Sequence, residues 1–223
     1  MRVDIWTDLA CPHCYYGSRN LRTALTLCRD PSPVEVTWRS FQLMPGPAAP
    51  DRDPREPVPS LFDALARFNG SREAAEAAMA RIAPRAAAAG LDFRPDLVRP
   101  CRTMNTHRMV HLAAQHGLAE QAVTRLYGAY WAEGRDLAHH DTLVSLVAEA
   151  GVPEGEAREV LAGDRFESAV HADRANGLAL GITGVPSIVI ADRYLVPGTA
   201  APEDLAGALD EVLAGEAESP GRR

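Results

Sequence analysis

The stretch Thr7-Asp8-Leu9-Ala10-Cys11-Pro12-His13-Cys14-Tyr15-Tyr16-Gly17 lies close to the beginning of the chain. Its two cysteines, with two residues between them, end an apolar run, and a helix-like pattern follows. In a chain with no recognisable secretory signal, a Cys-x-x-Cys pair at a strand-to-helix junction is typical of a redox-active dithiol. The stretch therefore predicts a strand, a turn and a helix that together present two thiols.

The place of the cysteines at the start of a helix favours thiolate chemistry. Pro12 suits the first helical position, since its missing N–H would have no intrahelical partner there, and Cys11 then becomes the N-cap of a helix running to about Cys28. The unpaired N–H groups and the helix dipole would stabilise a thiolate on Cys11, and Cys14 lies one turn away on the same face. We expect Cys11 to attack and Cys14 to resolve, with His13 as a cation or hydrogen-bond donor toward the thiolate.

The main alternative for a Cys-x-x-Cys pair is half of a zinc or iron–sulfur site. Such a site needs a second pair of ligands, but Cys28 and Cys101 each stand alone. His107 and His111 are four residues apart on a predicted helix, and Cys101 lies upstream of them. Because no further ligand accompanies them, we interpret the histidines as core or groove residues and keep a metal site as the weaker alternative. We therefore expect no metal and no bound cofactor.

Strand-like segments occur at both ends of the chain. Residues 3–6 and 34–38 are rich in β-forming side chains and flank the cysteine-bearing helix. Residues 187–190 and 194–196 predict a C-terminal hairpin with a short turn between its strands. Sheet residues at both ends, with helices between them, indicate one α/β domain that is interrupted by an insertion.

The middle of the chain is predicted to be helical. A proline-rich connector, residues 45–59, leads into a series of helical patterns that end at glycines, and Pro84 predicts a break or kink in one of them. The predicted organisation is an N-terminal part of the α/β domain, residues 1–44, a helical insertion, residues 45–164, a C-terminal part of the α/β domain, residues 165–215, and a disordered tail, residues 216–223.

The tripeptide Gly184-Val185-Pro186 is expected to complete the site. An X-Pro bond is cis in only about 5–6% of cases. Here, however, the proline follows a helix and directly precedes an apolar strand, in a chain with an N-terminal Cys-Pro-His-Cys. We therefore predict a cis bond that faces the dithiol and leaves the Val185 backbone available to an extended substrate.

Overall composition argues against several classes of partner. The net charge of −7 and the lack of a basic stripe argue against nucleic acid. No N-terminal segment has the pattern of a signal peptide, and no apolar run is long enough to span a bilayer, so we expect a cytoplasmic protein with no membrane partner. The expected partner is a protein or small-molecule thiol or disulfide, and the sequence does not predict an oligomeric state.

The chain resembles the DsbA-like thioredoxin proteins, in particular their cytoplasmic FrnE-type branch. Besides the cysteine-containing stretch, the segments that carry the resemblance are residues 38–45, 90–93, 107–108, 175–187 and 194–198. The resemblance implies a thioredoxin-like α/β fold with a large all-helical insertion, with Cys11 as the attacking cysteine and Cys14 as the resolving one. It also implies that Pro186 is the cis-proline of a substrate groove, and we include Pro12 and Val185 among the substrate-binding residues.

Two features of the resemblance bear on function. The Pro-His dipeptide is similar to that of strongly oxidising DsbA enzymes, whereas the FrnE branch commonly has tryptophan at the position of His13. The superfamily also includes 2-hydroxychromene-2-carboxylate isomerases and kappa-class glutathione transferases, which typically have serine at the position of Cys11 and no second cysteine. The intact pair favours a DsbA-like protein disulfide oxidoreductase. The alternative is a glutathione-dependent isomerase or transferase acting on a polyketide-like molecule, and glutathione as a co-substrate is compatible with both.

Overall fold

Both ends of the chain contribute to one mixed four-stranded sheet. The computed structural model describes residues 1–47, 51, 53 and 57–218. The strands are β1, Arg2–Thr7; β2, Glu35–Ser40; β3, Ser187–Ile190; and β4, Tyr194–Pro197. Their order is β2-β1-β3-β4, with β2 parallel to β1 and the other two pairs antiparallel. This sheet confirms the predicted α/β fold.

Helices occupy the rest of the described chain. They are α1, Pro12–Leu27; α2, Leu61–Asn69; α3, Arg72–Ala88; α4, Met104–Gln115; α5, Ala119–Trp131; α6, His140–Glu149; α7, Glu154–Ala162; α8, Glu167–Ala179; and α9, Pro202–Glu218. Helices α2 to α7 follow β2 and precede α8, as expected of a helical insertion within an α/β domain. None of the described helices is long and apolar enough to cross a lipid bilayer.

One apolar core joins the sheet to the insertion. Val3 and Ile5 of β1 are fully buried in one cluster with Leu21 of α1, and this cluster continues through Leu112 of α4 to Val147 of α6. A smaller cluster around Trp6 lies on the opposite side of the strand, because successive side chains of a strand point to opposite faces. The insertion thus shares its core with the sheet, and its helices can reach the dithiol.

Two local predictions differ from the structure. Of the break or kink predicted at Pro84, the break is absent, because α3 continues from Arg72 to Ala88. Proline removes one backbone hydrogen bond from a helix, and here the buried residues Ile82 and Ala86 hold the helix on either side of it. At the C-terminus, α9 continues to Glu218, three residues into the predicted disordered tail, and residues 219–223 lie outside the described part of the chain. Residues 48–50, 52 and 54–56 of the predicted connector also lie outside it.

Candidate active site

The dithiol lies at the beginning of α1, where the sequence predicts it. Cys11 is the N-cap residue with extended backbone angles, and Pro12 is the first helical residue. Cys11 is 4% exposed, and Cys14, one turn further on, is completely buried. Cys11 is thus the outer thiol and Cys14 the inner one, and the free N–H groups of the helix start lie beside Cys11.

The proline loop lies directly against the outer thiol. The peptide bond between Val185 and Pro186 is cis, and Cys11 Sγ is 3.3 Å from the carbonyl oxygen of Val185. The N–H of Gly198, just after β4, donates to the Pro186 carbonyl over 3.0 Å. The loop is therefore held between the end of the hairpin and the reactive sulfur.

Two glycines allow these segments to meet. A Cβ added to Gly17 of α1 would lie 2.5 Å from the Gly198 carbonyl oxygen and 2.8 Å from Pro186 Cγ. A Cβ added to Gly198 would lie 2.7 Å from Pro186 Cβ. All three separations are far shorter than a carbon van der Waals contact. Sequence reasoning did not assign a role to either glycine, because the close approach involves residues far apart in the chain.

The buried position of Cys14 affects its acidity. Burial raises the pKa of the Cys14 thiol well above its usual value of 9.0, and hydrogen bonding and charge from Cys11 raise it further. Cys14 is therefore a protonated thiol at neutral pH while Cys11 is reduced. The negative charge of Asp8 acts in the same direction.

His13 belongs to a short chain of polar groups that reaches the insertion. Its Nδ1 lies 3.0 Å from the Tyr16 hydroxyl, which accepts a hydrogen bond over 3.2 Å from Nη1 of Arg85 on α3. Burial, and secondly the charge of Arg85, lower the pKa of His13 below 6.5, so the ring is neutral at pH 7. The neutral ring disfavours the cation role that the sequence leaves open for His13, and donation of a hydrogen bond to the Cys11 thiolate stays a prediction.

A buried carboxylate anchors the loop before the cysteines. Asp8 accepts from the backbone N–H groups of Leu43, over 2.7 Å, and of Ala10, over 3.3 Å. Burial acts to raise the pKa of Asp8, but His107, whose Nε2 is 3.5 Å from Oδ1, and the Leu43 N–H outweigh it and leave the pKa below 3.8. Asp8 is therefore an ionised group at neutral pH. The sequence places Asp8 in the cysteine-containing stretch, but it does not predict that the carboxylate is buried or which groups contact it.

Two aromatic residues of α5 hold the same loop from the insertion side. The Tyr127 hydroxyl donates to the Asp8 carbonyl over 3.0 Å, and Trp131 Nε1 donates to the Leu9 carbonyl over 2.9 Å. Both side chains are buried. Their helical spacing predicts a packed face, and the structure adds that this face supports the active-site loop.

His111, which the sequence groups with His107, belongs to a separate polar cluster. His111 Nε2 lies 3.2 Å from Asp173 Oδ2 and 3.1 Å from Ser40 Oγ, in a polar cluster under the sheet. The part of the chain that the structure describes contains no group of three or more His, Cys, Asp or Glu side chains arranged to hold a metal ion. Cys28 is buried at the end of α1, and Cys101 is partly buried.

A cavity of about 590 Å³ lies against the cis-proline loop and His13, a volume within the usual range for small-molecule sites. The described residues that line it are His13, Arg85, residues 181–187, residues 195–197 and Thr199. The cavity thus brings together the predicted groove residues Val185 and Pro186 with His13 from the dithiol stretch. Arg85 is the lining residue that the sequence did not suggest.

Comparison with known proteins agrees with this architecture. The DsbA-like thioredoxin domain matches residues 2–210. The chain belongs to the DsbA-like thioredoxin family. A structure described as a probable DsbA oxidoreductase from Streptomyces coelicolor is 33% identical, with a TM-score of 0.88 over 100% of this chain and 93% of that one. An uncharacterised protein of Bacillus subtilis is 22% identical over 202 residues, which are 90% of this chain and 91% of that protein.

More distant members of the same fold are diverse. A cytosolic disulfide reductase, DsbM, from Pseudomonas aeruginosa, solved with glutathione, is 20% identical, with a TM-score of 0.69 over 96% of this chain and 100% of that one. A 2-hydroxychromene-2-carboxylate isomerase is 15% identical, with a TM-score of 0.70 over 98% of each chain. These two likenesses establish the fold. The assignment to the FrnE-type branch stays a prediction.

Proposed function

We propose that this DsbA-like protein is a thiol–disulfide oxidoreductase that uses Cys11 and Cys14. In the reductive direction, the Cys11 thiolate attacks one sulfur of a substrate disulfide, forms a mixed disulfide and releases the other sulfur as a thiolate. Cys14, after losing its proton, attacks Cys11 Sγ, which releases the second substrate thiolate and leaves the Cys11–Cys14 disulfide. Oxidation of a dithiol substrate is the same sequence in reverse.

The contact between Cys11 Sγ and the Val185 carbonyl, 3.3 Å long, is the observation on which this proposal chiefly rests. It brings the outer thiol to a backbone group with which an extended substrate can pair. Cys14 lies behind Cys11 and is shielded from solvent, as a resolving thiol must be if it is to react with the mixed disulfide and with no other thiol. Cys11, Cys14 and His13 are the proposed catalytic residues, and Pro12, Val185 and Pro186 are the proposed substrate-binding residues.

The acidity of Cys14 supports this order of events. In the dithiol, hydrogen bonding and charge from Cys11 contribute to the raised pKa of Cys14. Both contributions disappear when Cys11 becomes part of a mixed disulfide, because its sulfur is then uncharged. Cys14 therefore becomes easier to deprotonate at the step where it has to attack.

The proposal is tested by the reduction of insulin with dithiothreitol. We expect the wild-type protein to accelerate the reaction and the Cys11→Ala variant to lose the acceleration. Cys28→Ala is a matched control, since Cys28 is also a buried cysteine but lies at the opposite end of α1 from Cys11. Equal activity of wild type and Cys11→Ala would disprove the proposal. The Cys14→Ala variant is expected to accumulate a mixed disulfide, which mass spectrometry detects.

A glutathione-dependent isomerase or transferase is the second candidate. The cavity of about 590 Å³ beside the cis-proline loop and His13 favours it, because a small molecule can be accommodated there. The two candidates differ in their use of Cys14. An isomerase would retain its activity in Cys14→Ala and would need glutathione, whereas disulfide exchange would stop at the mixed disulfide.

The cellular setting is also part of the proposal. We propose that the protein acts in the cytoplasm on a protein or small-molecule thiol, with glutathione as a possible co-substrate, and the cytosolic disulfide reductase with the same fold is compatible with this. The reduction potential of the Cys11–Cys14 pair, measured against glutathione buffers, decides whether it reduces or oxidises its substrate.

A further inference from the structure

Arg85 places a positive charge at the wall of the active-site cavity. The residue lies in the last turn of α3, within the insertion, and its side chain is exposed. One nitrogen, Nη1, donates to the Tyr16 hydroxyl over 3.2 Å. A guanidinium has five N–H donors, so most of its hydrogen-bonding capacity remains for other groups. No described carboxylate pairs with it, and its raised pKa results from Tyr16 alone.

Several other arginines of the insertion pair with carboxylates. Arg72 pairs with Asp63 and Glu76, and Arg158 pairs with Asp141. Arg85 has instead a phenol as its neighbour, in a chain whose net charge is −7. An arginine without a described carboxylate partner therefore stands at the cavity that the cis-proline loop and His13 line.

The cavity has no described negative charge to offset Arg85. Of its described lining residues, Arg85 is the one with a permanent charge, and His13 is neutral at pH 7. The other lining residues contribute apolar side chains, hydroxyls and backbone groups; they are residues 181–187, residues 195–197 and Thr199. Desolvation of the guanidinium by a bound substrate would strengthen its attraction for an anion. A planar guanidinium also matches a carboxylate in shape.

Arg85 is linked to the dithiol stretch through Tyr16. Arg85 and His13 contact the same Tyr16 hydroxyl, over 3.2 and 3.0 Å, and His13 is one of the two residues between the cysteines. Arg85, Val185 and Pro186 also line the same cavity. A substrate whose cysteine reacts with Cys11 and whose chain enters this cavity can therefore bring a nearby carboxylate toward Arg85.

We infer that Arg85 is a specificity residue that selects disulfide substrates with a carboxylate close to the reacting cysteine. This inference rests on the proposed function. The carboxylate belongs either to an aspartate or glutamate of a protein segment or to a small peptidyl thiol. Arg85 acts on binding and takes no part in sulfur exchange.

The test compares symmetrical peptide disulfides that are identical except for Glu, Gln or Lys two residues after the cysteine. The quantity measured is the second-order rate constant for their reduction by the prereduced protein. We expect the Glu peptide to react about 1.5 to 5 times faster than the Gln peptide, as for an exposed ion pair, and the Lys peptide to react more slowly than either. The preference should disappear at about 1 M salt, where the Debye length is about 3 Å.

The variants are judged by the Glu-to-Gln ratio of rate constants, which is independent of any change in absolute rate. Arg85→Gln should lower the ratio to about one, and Arg85→Glu should invert the preference between the Glu and Lys peptides. Arg81→Gln is the matched control, because Arg81 is an exposed residue one turn earlier on α3 and does not line the cavity. Tyr16→Phe should keep the preference, since it removes the hydrogen bond but not the charge.

The outcomes separate this inference from the proposed function. If the wild-type protein reduces all three peptides at one rate, or if Arg85→Gln keeps the wild-type ratio, the inference is overturned and disulfide exchange stands. If the wild-type protein reduces none of them, both are overturned. Oxidised glutathione and its methyl ester serve as a second pair of probes. An Arg85-dependent preference for the unesterified form assigns the carboxylate to a small thiol, and a preference confined to the peptides assigns it to a protein.

Discussion

Replacement of Gly17 by alanine tests whether α1, the cis-proline loop and the end of β4 fit together as closely as described. Gly17 is an interior residue of α1 and faces the loop. The added Cβ would lie 2.5 Å from the Gly198 carbonyl oxygen and 2.8 Å from Pro186 Cγ. The first is a backbone atom and the second belongs to a ring, so neither can rotate away as a flexible side chain could.

Two opposing effects determine the size of the change. Alanine is more favourable than glycine in a helix interior by about 1 kcal/mol. Overpacking costs about 1–3 kcal/mol, and the rigid neighbours place this case at the upper end. We therefore expect Gly17→Ala to lower the free energy of unfolding by about 1–2 kcal/mol. For a protein of this length, that corresponds to a fall in Tm of about 2–8 °C.

Urea unfolding followed by circular dichroism measures the change, and Gly207→Ala is the control. Gly207 is also within a helix, α9, but an added Cβ there has no atom within 4 Å. The control variant should be more stable than wild type by up to about 1 kcal/mol. Insulin reduction by Gly17→Ala should fall as well, because the loop has to move away from α1. A Gly17→Ala protein stabilised like Gly207→Ala would refute the close packing.

Three other variants examine the polar contacts of the site. Asp8→Asn should lower the free energy of unfolding at pH 7, and the difference from wild type should shrink as the pH falls below about 4. The reason is that a carboxylate whose pKa is depressed in the folded protein stabilises the fold only while it is ionised. A pH-independent difference in urea unfolding would contradict this. Tyr127→Phe should lower the free energy of unfolding by about 0.5–1.5 kcal/mol in the same assay. The loss is modest because the Asp8 carbonyl, without the hydroxyl donor, still accepts from the Cys11 N–H. A larger loss would contradict this reasoning. Arg85→Gln should raise the pKa of His13 in an NMR titration, because the charge of Arg85 helps to hold it below 6.5; an unchanged pKa would separate the two residues electrostatically.

Much of the fold could be predicted because its signals are local. The extended N-cap at Cys11 and the helix after Pro12 follow from the residues on either side of them. The hairpin strands at residues 187–190 and 194–197 follow from a short apolar run, a turn and a second run. Pro84 shows the limit of such reasoning. Its local preference for a break was overridden by the buried face of α3, which is a property of the packed molecule.

The candidate site likewise combines features with local sequence signals and features that depend on tertiary packing. The dithiol, the order of its two cysteines along α1 and the proline loop expected to face them could all be predicted, because spacing and residue type carry this information. The contact of Arg85 with Tyr16, 69 residues away, and the approach of His107 to Asp8 could not be predicted in this way. These contacts depend on how the insertion packs on the sheet. The neutral state of His13 therefore depends on residues outside the Cys-Pro-His-Cys motif, which bury the ring and place the charge of Arg85 near it.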